Sequence, residues 1–380
     1  MTIIRNVLVM GALLGTSAAQ ALEVDREVLP RITLGGRVLG TLDATDLDSD
    51  SARSGTINSE DSEIALRMDK RLYEGGVAGA TLSFREDADA VHFANHYVFF
   101  WNENINVILG HAPLRNTLIE FSTLREDDLV YATHALNASS AQNFAQTHGD
   151  VASIDWFPEP NHALGVAMSS RSDDAGMGID GIDSIGASYI YAPPDTLRFM
   201  TRVRRAGIIL DRQQTRVNGQ KYWMNTWITG AAVNLNDDPS GNWSLDAQLI
   251  RNEGANVAVG VVPTYYERVR SASSAVVASL HYTARPALLT RWQAMVTLAT
   301  KEFDDLHGSG QWSLAPGLTW RAGQGVDVLA QYIHTEYGTA LGGGIDRIFQ
   351  IGLAFSLEAR FNDTIGQRNS ILNLEHGYIR

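Results

Sequence analysis

The last long segment of the sequence alternates between apolar residues and small or polar ones. Between Phe349 and Phe361 every second residue is apolar, and the residues between them are glutamine, glycine, alanine, serine, glutamate and arginine. A period of two predicts a β-strand with one apolar face. Strands of soluble sheets are usually ~5–6 residues long, whereas a tilted strand that crosses a membrane needs ~9–11 residues. This segment is therefore long enough to span a membrane.

The same pattern recurs along most of the chain. We predict about sixteen strands, near residues 31–43, 62–71, 76–86, 90–101, 104–111, 149–157, 161–171, 183–192, 196–210, 222–234, 242–252, 273–284, 288–302, 311–322, 326–338 and 346–361. Longer polar connections, among them 44–61 and 211–221, alternate with short turns. An even number of such strands, with long loops on the outer rim and short turns on the periplasmic rim, is typical of outer-membrane barrels. The sequence therefore predicts an all-β transmembrane antiparallel β-barrel in residues 22–361.

The two ends of the chain have features of their own. Arg5 precedes a short apolar stretch at 7–14, and Ala19-Gln20-Ala21 is a small-x-small cleavage site. This pattern predicts a signal peptide at 1–21, because the apolar stretch is too short for a membrane-spanning helix. Residues 362–380 follow the last predicted strand. We interpret them as a periplasmic extension, with an extra strand near 371–380 as the alternative.

Composition excludes several kinds of chemistry. The chain has no cysteine and a formal net charge of −13. It therefore has no thiolate chemistry, c-type haem attachment or cysteine-ligated zinc, and nucleic acid is a poor partner. His92 and His96 would stand far apart in a strand, so we expect a solvated or lumen position for them. The acidic run at 43–50 lacks the glycine and glutamate of a calcium loop, and we predict no cofactor and no metal.

Three segments carry a family resemblance. Residues 106–113 and 151–158 resemble the strands that flank the long third outer loop of the general Gram-negative porins, and residues 352–361 resemble their closing strand. The resemblance extends over nearly the whole mature chain. It implies an inward-folding third loop near 112–148 and a water-filled channel for passive diffusion of small hydrophilic solutes and ions. It also implies a homotrimer surrounded by outer-membrane lipid and lipopolysaccharide.

Charged residues on the predicted inner faces are the candidate site. The strand period places on those faces Arg37, Arg67, Arg85, Arg198, Arg202 and Arg204. The predicted third loop carries Glu120, Glu126, Asp127 and Asp128. The resemblance implies a pore constriction in which wall arginines face loop carboxylates, and such charged rings set ion preference. The alternative is ordinary salt bridging in the lumen, without any effect on selectivity.

Two other functions remain open at this stage. A barrel could act as a sheath or scaffold that encloses a partner protein, or as a barrel hydrolase with catalytic groups at its rim. The sequence shows no assignable Ser/His/Asn or Asp/His set, so we predict no enzymatic activity. The predicted strands near 76–111 mix small and aromatic residues on their lipid side, which would suit close packing between protomers. These lipid-side residues are Ala78, Ala80, Leu82 and Phe84.

Overall fold

The protein is almost entirely β-structure. The computed structural model describes residues 30–47, 52–58, 62–72, 76–87, 90–113, 118–119, 148–171, 184–193, 202–217, 220–236, 238, 240–254, 272–284, 291–304, 307–323 and 325–361. Its strands are β1 (Arg31–Leu47), β2 (Ala52–Asn58), β3 (Glu63–Arg71), β4 (Val77–Asp87), β5 (Ala90–Trp101), β6 (Ile105–Pro113), β7 (His148–Glu159), β8 (His162–Arg171), β9 (Ser184–Tyr191), β10 (Val203–Val217), β11 (Gln220–Asn234), β12 (Gly241–Gly254), β13 (Ser273–Ala284), β14 (Arg291–Phe303), β15 (Gln311–Gly323), β16 (Val326–Glu336) and β17 (Ile345–Phe361). Within these ranges no helix is long and apolar enough to cross a membrane.

Neighbouring strands pair antiparallel around a closed circuit. β1 pairs with β17 from Ile32–Phe361 to Leu47–Asp346, which joins the first strand to the last. β3 pairs with the first part of β1, and β2 pairs with its second part. β2 and β3 together therefore form one interrupted strand of the barrel. The seventeen segments therefore make a closed 16-strand antiparallel barrel, as the sequence predicts. Closure satisfies the backbone hydrogen bonds without leaving a sheet edge.

The apolar side chains point away from the barrel interior. On β17, Leu353 is 55% exposed and Phe355 is 51% exposed, whereas Gln350 of the same strand is fully buried. Exposed leucine, isoleucine and valine residues occur on nearly every strand, and serine, threonine and glutamine are buried. This arrangement is the reverse of a soluble protein and matches a barrel that faces lipid on the outside.

Aromatic pairs on the outer face mark the two rims. Trp292 and Trp320 stack with ring centroids 5.6 Å apart near the rim that carries the short turns. Trp312 packs beside His334 at 5.1 Å toward the opposite rim. Aromatic side chains favour both interfaces of a membrane. The outer surface is therefore an apolar band bordered by aromatic rings.

Two predicted connections are wrong. The expected connection 44–61 contains the end of β1 and all of β2 (Ala52–Asn58), which pairs with β1. Residues 211–221 were expected to form a polar loop, yet β10 and β11 stay paired through Val217 and Gln220. Polarity does not end a strand whose backbone groups are all paired. The predicted signal peptide (1–21) and the tail (362–380) lie outside the described residues and stay predictions.

Candidate functional site

A charged row crosses the inner wall of the first strands. The register places Arg37 of β1 directly opposite Glu63 of β3. It also places Glu63 directly opposite Arg85 of β4. Both arginines are partly buried on the inner face. One carboxylate thus stands between two guanidinium groups, and the row has a formal charge of +1.

Arg67 belongs to a different cluster on the same wall. It is 1% exposed, and its Nε lies 3.0 Å from Asp69 Oδ2. Arg31 reaches the same carboxylate through two hydrogen bonds, Nε to Oδ1 at 2.9 Å and a terminal nitrogen to Oδ2 at 2.5 Å. The guanidinium of Arg67 also lies 4.3 Å from the centre of the Phe99 ring, a cation–π contact. Arg67 is therefore held in a closed cluster, unlike Arg37 and Arg85.

Small side chains separate the charged row from this cluster. Gly35, Ala65 and Ser83 occupy the intervening register positions of β1, β3 and β4. Ser83 Oγ accepts a 2.8 Å hydrogen bond from the side chain of Asn95 on β5. All three intervening residues are buried.

Two residues of the segment after β6 contact the opposite wall. The side-chain oxygen of Gln248 on β12 accepts hydrogen bonds from the backbone N–H of Leu118 at 2.8 Å and of Ile119 at 3.0 Å. Both residues are buried. They pack in an apolar cluster on the inner faces of β9 to β17, whose other core members are Ile190, Ile209, Ile228, Ala232, Ile250, Ala275, Val277, Ala299, Ala315, Ile333 and Ile348. Leu118 and Ile119 thus lie inside the barrel, six strands from the strand that precedes them.

The remaining predicted residues are placed differently. Arg202 is exposed and directly precedes β10. Arg204 forms an ion pair with Asp246 of β12 on the inner wall. Four predicted acids and one arginine lie outside the described residues: Arg198, Glu120, Glu126, Asp127 and Asp128.

The inner wall also contains a histidine and a carboxylate, the elements of a hydrolase. His281 Nε2 lies 3.4 Å from Asp246 Oδ2, and its Nδ1 lies 3.4 Å from Nε2 of Gln293. Ser244 is opposite His281 in the register. Since the two ring nitrogens face Asp246 and Gln293, neither is directed at a hydroxyl that it could activate. This arrangement suits a structural polar network.

Sequence reasoning missed Glu63 and Gln248. Glu63 could have been found, because it lies four positions before Arg67 and so shares its strand face. Gln248 has no such signal, since many strands carry inward polar residues and its partner is distant in sequence. The hydrogen bond between Leu118 and Gln248 can form only when the barrel is closed.

Solved structures provide the comparison with known proteins. The anion-selective porin from Comamonas acidovorans superimposes with a TM-score of 0.59 and 14% identity, covering 86% of this chain and 99% of that one. The outer membrane channel DcaP of Acinetobacter baumannii gives 0.59 and 11%, covering 86% and 97%. OmpF of Salmonella typhi, in complex with daunomycin, gives 0.58 and 10%, with the same coverage.

The chain has the fold of the Gram-negative outer-membrane porins. No family model and no curated protein matches the sequence. At these identities the likeness shows the fold, and the functions of the neighbours remain theirs. The porin fold and the apolar outer surface of the closed barrel place the protein in the bacterial outer membrane.

Proposed function

We propose that this porin-fold protein is a water-filled channel for the passive diffusion of small hydrophilic solutes and ions. The observation that carries the proposal is the closed 16-strand wall with polar rows on its inner face. A barrel of this strand number is wide enough to leave an aqueous path. The channel-type structural neighbours give coarse support.

The position of Leu118 and Ile119 on one side of the lumen suggests where the path for solutes runs. Leu118 and Ile119 occupy the apolar wall of β9 to β17, so the segment 114–147 would fill that side. The passage would then run along the opposite wall, beside Arg37, Glu63 and Arg85. In this proposal Glu120, Glu126, Asp127 and Asp128 supply the acidic side of the constriction, and Arg37 and Arg85 supply its basic side. Arg202 directly precedes β10 on the filled side. Fixed charges of opposite sign across a narrow passage orient polar solutes.

The charged row taken by itself favours anions on its side of the path. Two guanidinium groups and one carboxylate leave one positive charge at this level of the wall. At an effective dielectric constant of 20, one charge acting on an ion at ~10 Å contributes about 1.7 kcal/mol before screening. This is enough for a modest preference and too little to exclude cations.

Purified mature protein in a planar bilayer tests the channel. We expect stepwise, ohmic currents whose conductance rises with salt concentration. Protein unfolded by heat in detergent is the control and should give no steps. A sheath, a plugged scaffold or a hydrolase would also give no open-channel current, so silence from correctly folded protein would overturn the proposal.

We also propose that the protein is a homotrimer in a membrane of lipid and lipopolysaccharide. The support is the sequence resemblance and the small lipid-side residues of β4, Ala78 and Ala80. A detergent-corrected molecular mass three times that of the protomer is expected. A mass equal to one protomer would contradict it.

A further inference from the structure

The turn between β7 and β8 presents a carboxylate on the rim with the short turns. β7 ends at Glu159 and β8 begins at His162, so the turn itself is formed by Pro160 and Asn161. Glu159 stands between Pro158 and Pro160 in the sequence. Proline fixes its own φ angle and restricts the residue before it, so the backbone that carries Glu159 has little freedom. The Glu159 side chain is 68% exposed and is therefore presented outward from a defined backbone position.

Three aromatic rings lie beside this carboxylate. His162 stands directly opposite Tyr191 in the register of β8 and β9, with ring centroids 5.2 Å apart. The ring of Tyr189 stacks on His162 at 5.9 Å, and its hydroxyl oxygen lies 2.8 Å from His162 Nδ1. On the other side, His162 Nε2 lies 3.8 Å from Oε2 of Glu159. These four residues, Glu159, His162, Tyr189 and Tyr191, form the rim cluster.

The hydrogen bond between His162 and Tyr189 determines which groups of the rim cluster can bind a ligand. An ionised carboxylate only accepts hydrogen bonds, so the proton of a neutral His162 ring belongs on Nε2, which faces Glu159. Nδ1 then accepts a hydrogen bond from the hydroxyl of Tyr189. The 3.8 Å between Nε2 and the carboxylate is too long for a hydrogen bond. Within the described part of the chain, Glu159 therefore keeps its acceptor oxygens available, next to aromatic faces that attract cations.

The rim cluster lies where an outer-membrane barrel meets lipid headgroups. His162 shares the strand phase of the exposed Leu164, and Tyr189 shares the phase of the exposed Ile185, so the rings are on the outer face. The cluster is also at the rim itself, because His162 begins β8 and Tyr191 ends β9. Aromatic side chains at a barrel rim mark the membrane interface, and short turns face the periplasm. Glu159 adds a negative charge to this aromatic girdle, within reach of the headgroups.

We propose that the rim cluster binds the headgroup of an aminophospholipid in the periplasmic leaflet, with the primary ammonium group beside Glu159. Charge complementarity supports this occupant, because the carboxylate and the ring faces of Tyr189 and Tyr191 all attract a cation. A primary ammonium also donates N–H hydrogen bonds, which the oxygens of Glu159 can accept. The exposed Trp156 and Leu164, opposite each other in the register, offer apolar surface to the acyl chains. The site rests on the outer-membrane position of the barrel and is independent of the channel.

Zero-length crosslinking in vesicles tests the position of the ammonium group. The full-length mature protein is refolded into vesicles of phosphatidylethanolamine and phosphatidylglycerol. A carbodiimide activates the Glu159 carboxylate, the lipid amine attacks the carboxyl carbon, and an amide forms as the urea leaves. The peptide that contains Glu159 should gain the mass of the ethanolamine lipid less one water, and E159Q should lack this adduct.

Asp238 is the matched control for this experiment. It is another acid in a short turn of the same rim, but its carboxylate accepts hydrogen bonds from the backbone N–H of Ser240 at 2.8 Å and from the hydroxyl of Ser240 at 2.7 Å. We expect little lipid adduct at Asp238. An equal yield at the two acids, or no adduct at Glu159, would overturn the proposal. A crosslink from Glu159 to a protein amine alone would show protein in place of lipid and would overturn it as well.

Lipid retention in native mass spectrometry gives an independent measurement. Wild-type protein in detergent should retain phosphatidylethanolamine in preference to phosphatidylcholine, because a quaternary ammonium has no N–H to donate. E159Q should retain roughly fivefold less of the ethanolamine lipid, as expected for the loss of one exposed charge pair beside aromatic faces, whereas D238N should match wild type. Equal retention of the two lipids by wild type, or of the ethanolamine lipid by E159Q and wild type, would contradict the site. Channel conductance is measured separately and should be unchanged in E159Q, so failure of this site is distinguishable from failure of the channel.

Discussion

The side chain of Gln248 accepts a 2.8 Å hydrogen bond from the backbone N–H of Leu118, across the interior of the barrel. The two residues are 130 positions apart in the chain. The same oxygen accepts the next backbone N–H, that of Ile119, at 3.0 Å. One amide oxygen therefore satisfies two consecutive buried donors and holds the segment to the far wall.

We expect Gln248→Leu to release this segment. The change keeps the side-chain volume but leaves two buried N–H donors without an acceptor, at about 1–3 kcal/mol for each. Single-channel recordings should show larger or noisier conductance than wild type. Gln311→Leu is the matched control, because Gln311 is buried on the inner wall with no hydrogen-bond partner for its amide. Equal records for the two variants would show that Gln248 does not hold the segment.

The arginines should divide into two classes. In R37S/R85S the row keeps only Glu63, so selectivity should shift toward cations. About 1.7 kcal/mol for each charge at ~10 Å corresponds to more than tenfold per arginine before screening, and mobile ions reduce this. Reversal potentials under a low-salt gradient measure this shift. It should nearly vanish at 1 M salt, where the Debye length is ~3 Å. Wild-type reversal potentials in R37S/R85S would contradict the proposed path.

R67S should behave differently from that pair. Arg67 is almost inaccessible and is held by Asp69 and Phe99, so its loss should reduce stability more than it changes selectivity. The measurement combines reversal potential with the urea midpoint of unfolding in detergent. A selectivity change as large as that of R37S/R85S would place Arg67 in the ion path.

Asp69→Ala should be among the most destabilising single changes. It leaves the buried Arg31 and Arg67 without their shared carboxylate, and removing one partner of a buried ion pair costs about 3–5 kcal/mol. Asp327→Ala is the control, because its pair with Arg321 is partly exposed and should contribute less than about 1 kcal/mol. Unfolding in urea, followed by heat-modifiable gel migration, compares them. Similar midpoints for the two variants would be inconsistent with a buried cluster.

Leu353→Arg should impair insertion. Leu353 is 55% exposed on the outer face of β17, and an arginine on the lipid face near the midplane of a barrel costs about 2–4 kcal/mol. The fraction of protein that becomes heat-modifiable after refolding into lipid vesicles should fall, with Leu353→Val as the conservative control. Normal folding yield with arginine would mean that this face is not covered by lipid.

The strands and their faces follow from local pattern. Alternation alone predicts that Leu353 and Phe355 point outward and Gln350 inward, because successive side chains of a strand must point to opposite faces. The same rule places Arg37, Arg67 and Arg85 on the inner wall, and the parity of long strands predicts closure into a barrel. The same phase places His96 with the exposed Val98 on the outer face, so the lumen position expected for His96 is wrong.

The tertiary structure alone decided which inward residues meet. Strand phase cannot show that Arg37 and Arg85 flank Glu63 while Arg67 joins Arg31 and Asp69, because this depends on the register between strands. No local pattern connects Leu118 with Gln248 either, because these residues meet only when the sixteen strands have closed into a barrel. Side-chain direction is set by the backbone of each residue and is readable from the sequence. Contacts across the barrel are set by the register and closure of the whole sheet, and no short stretch of sequence encodes them.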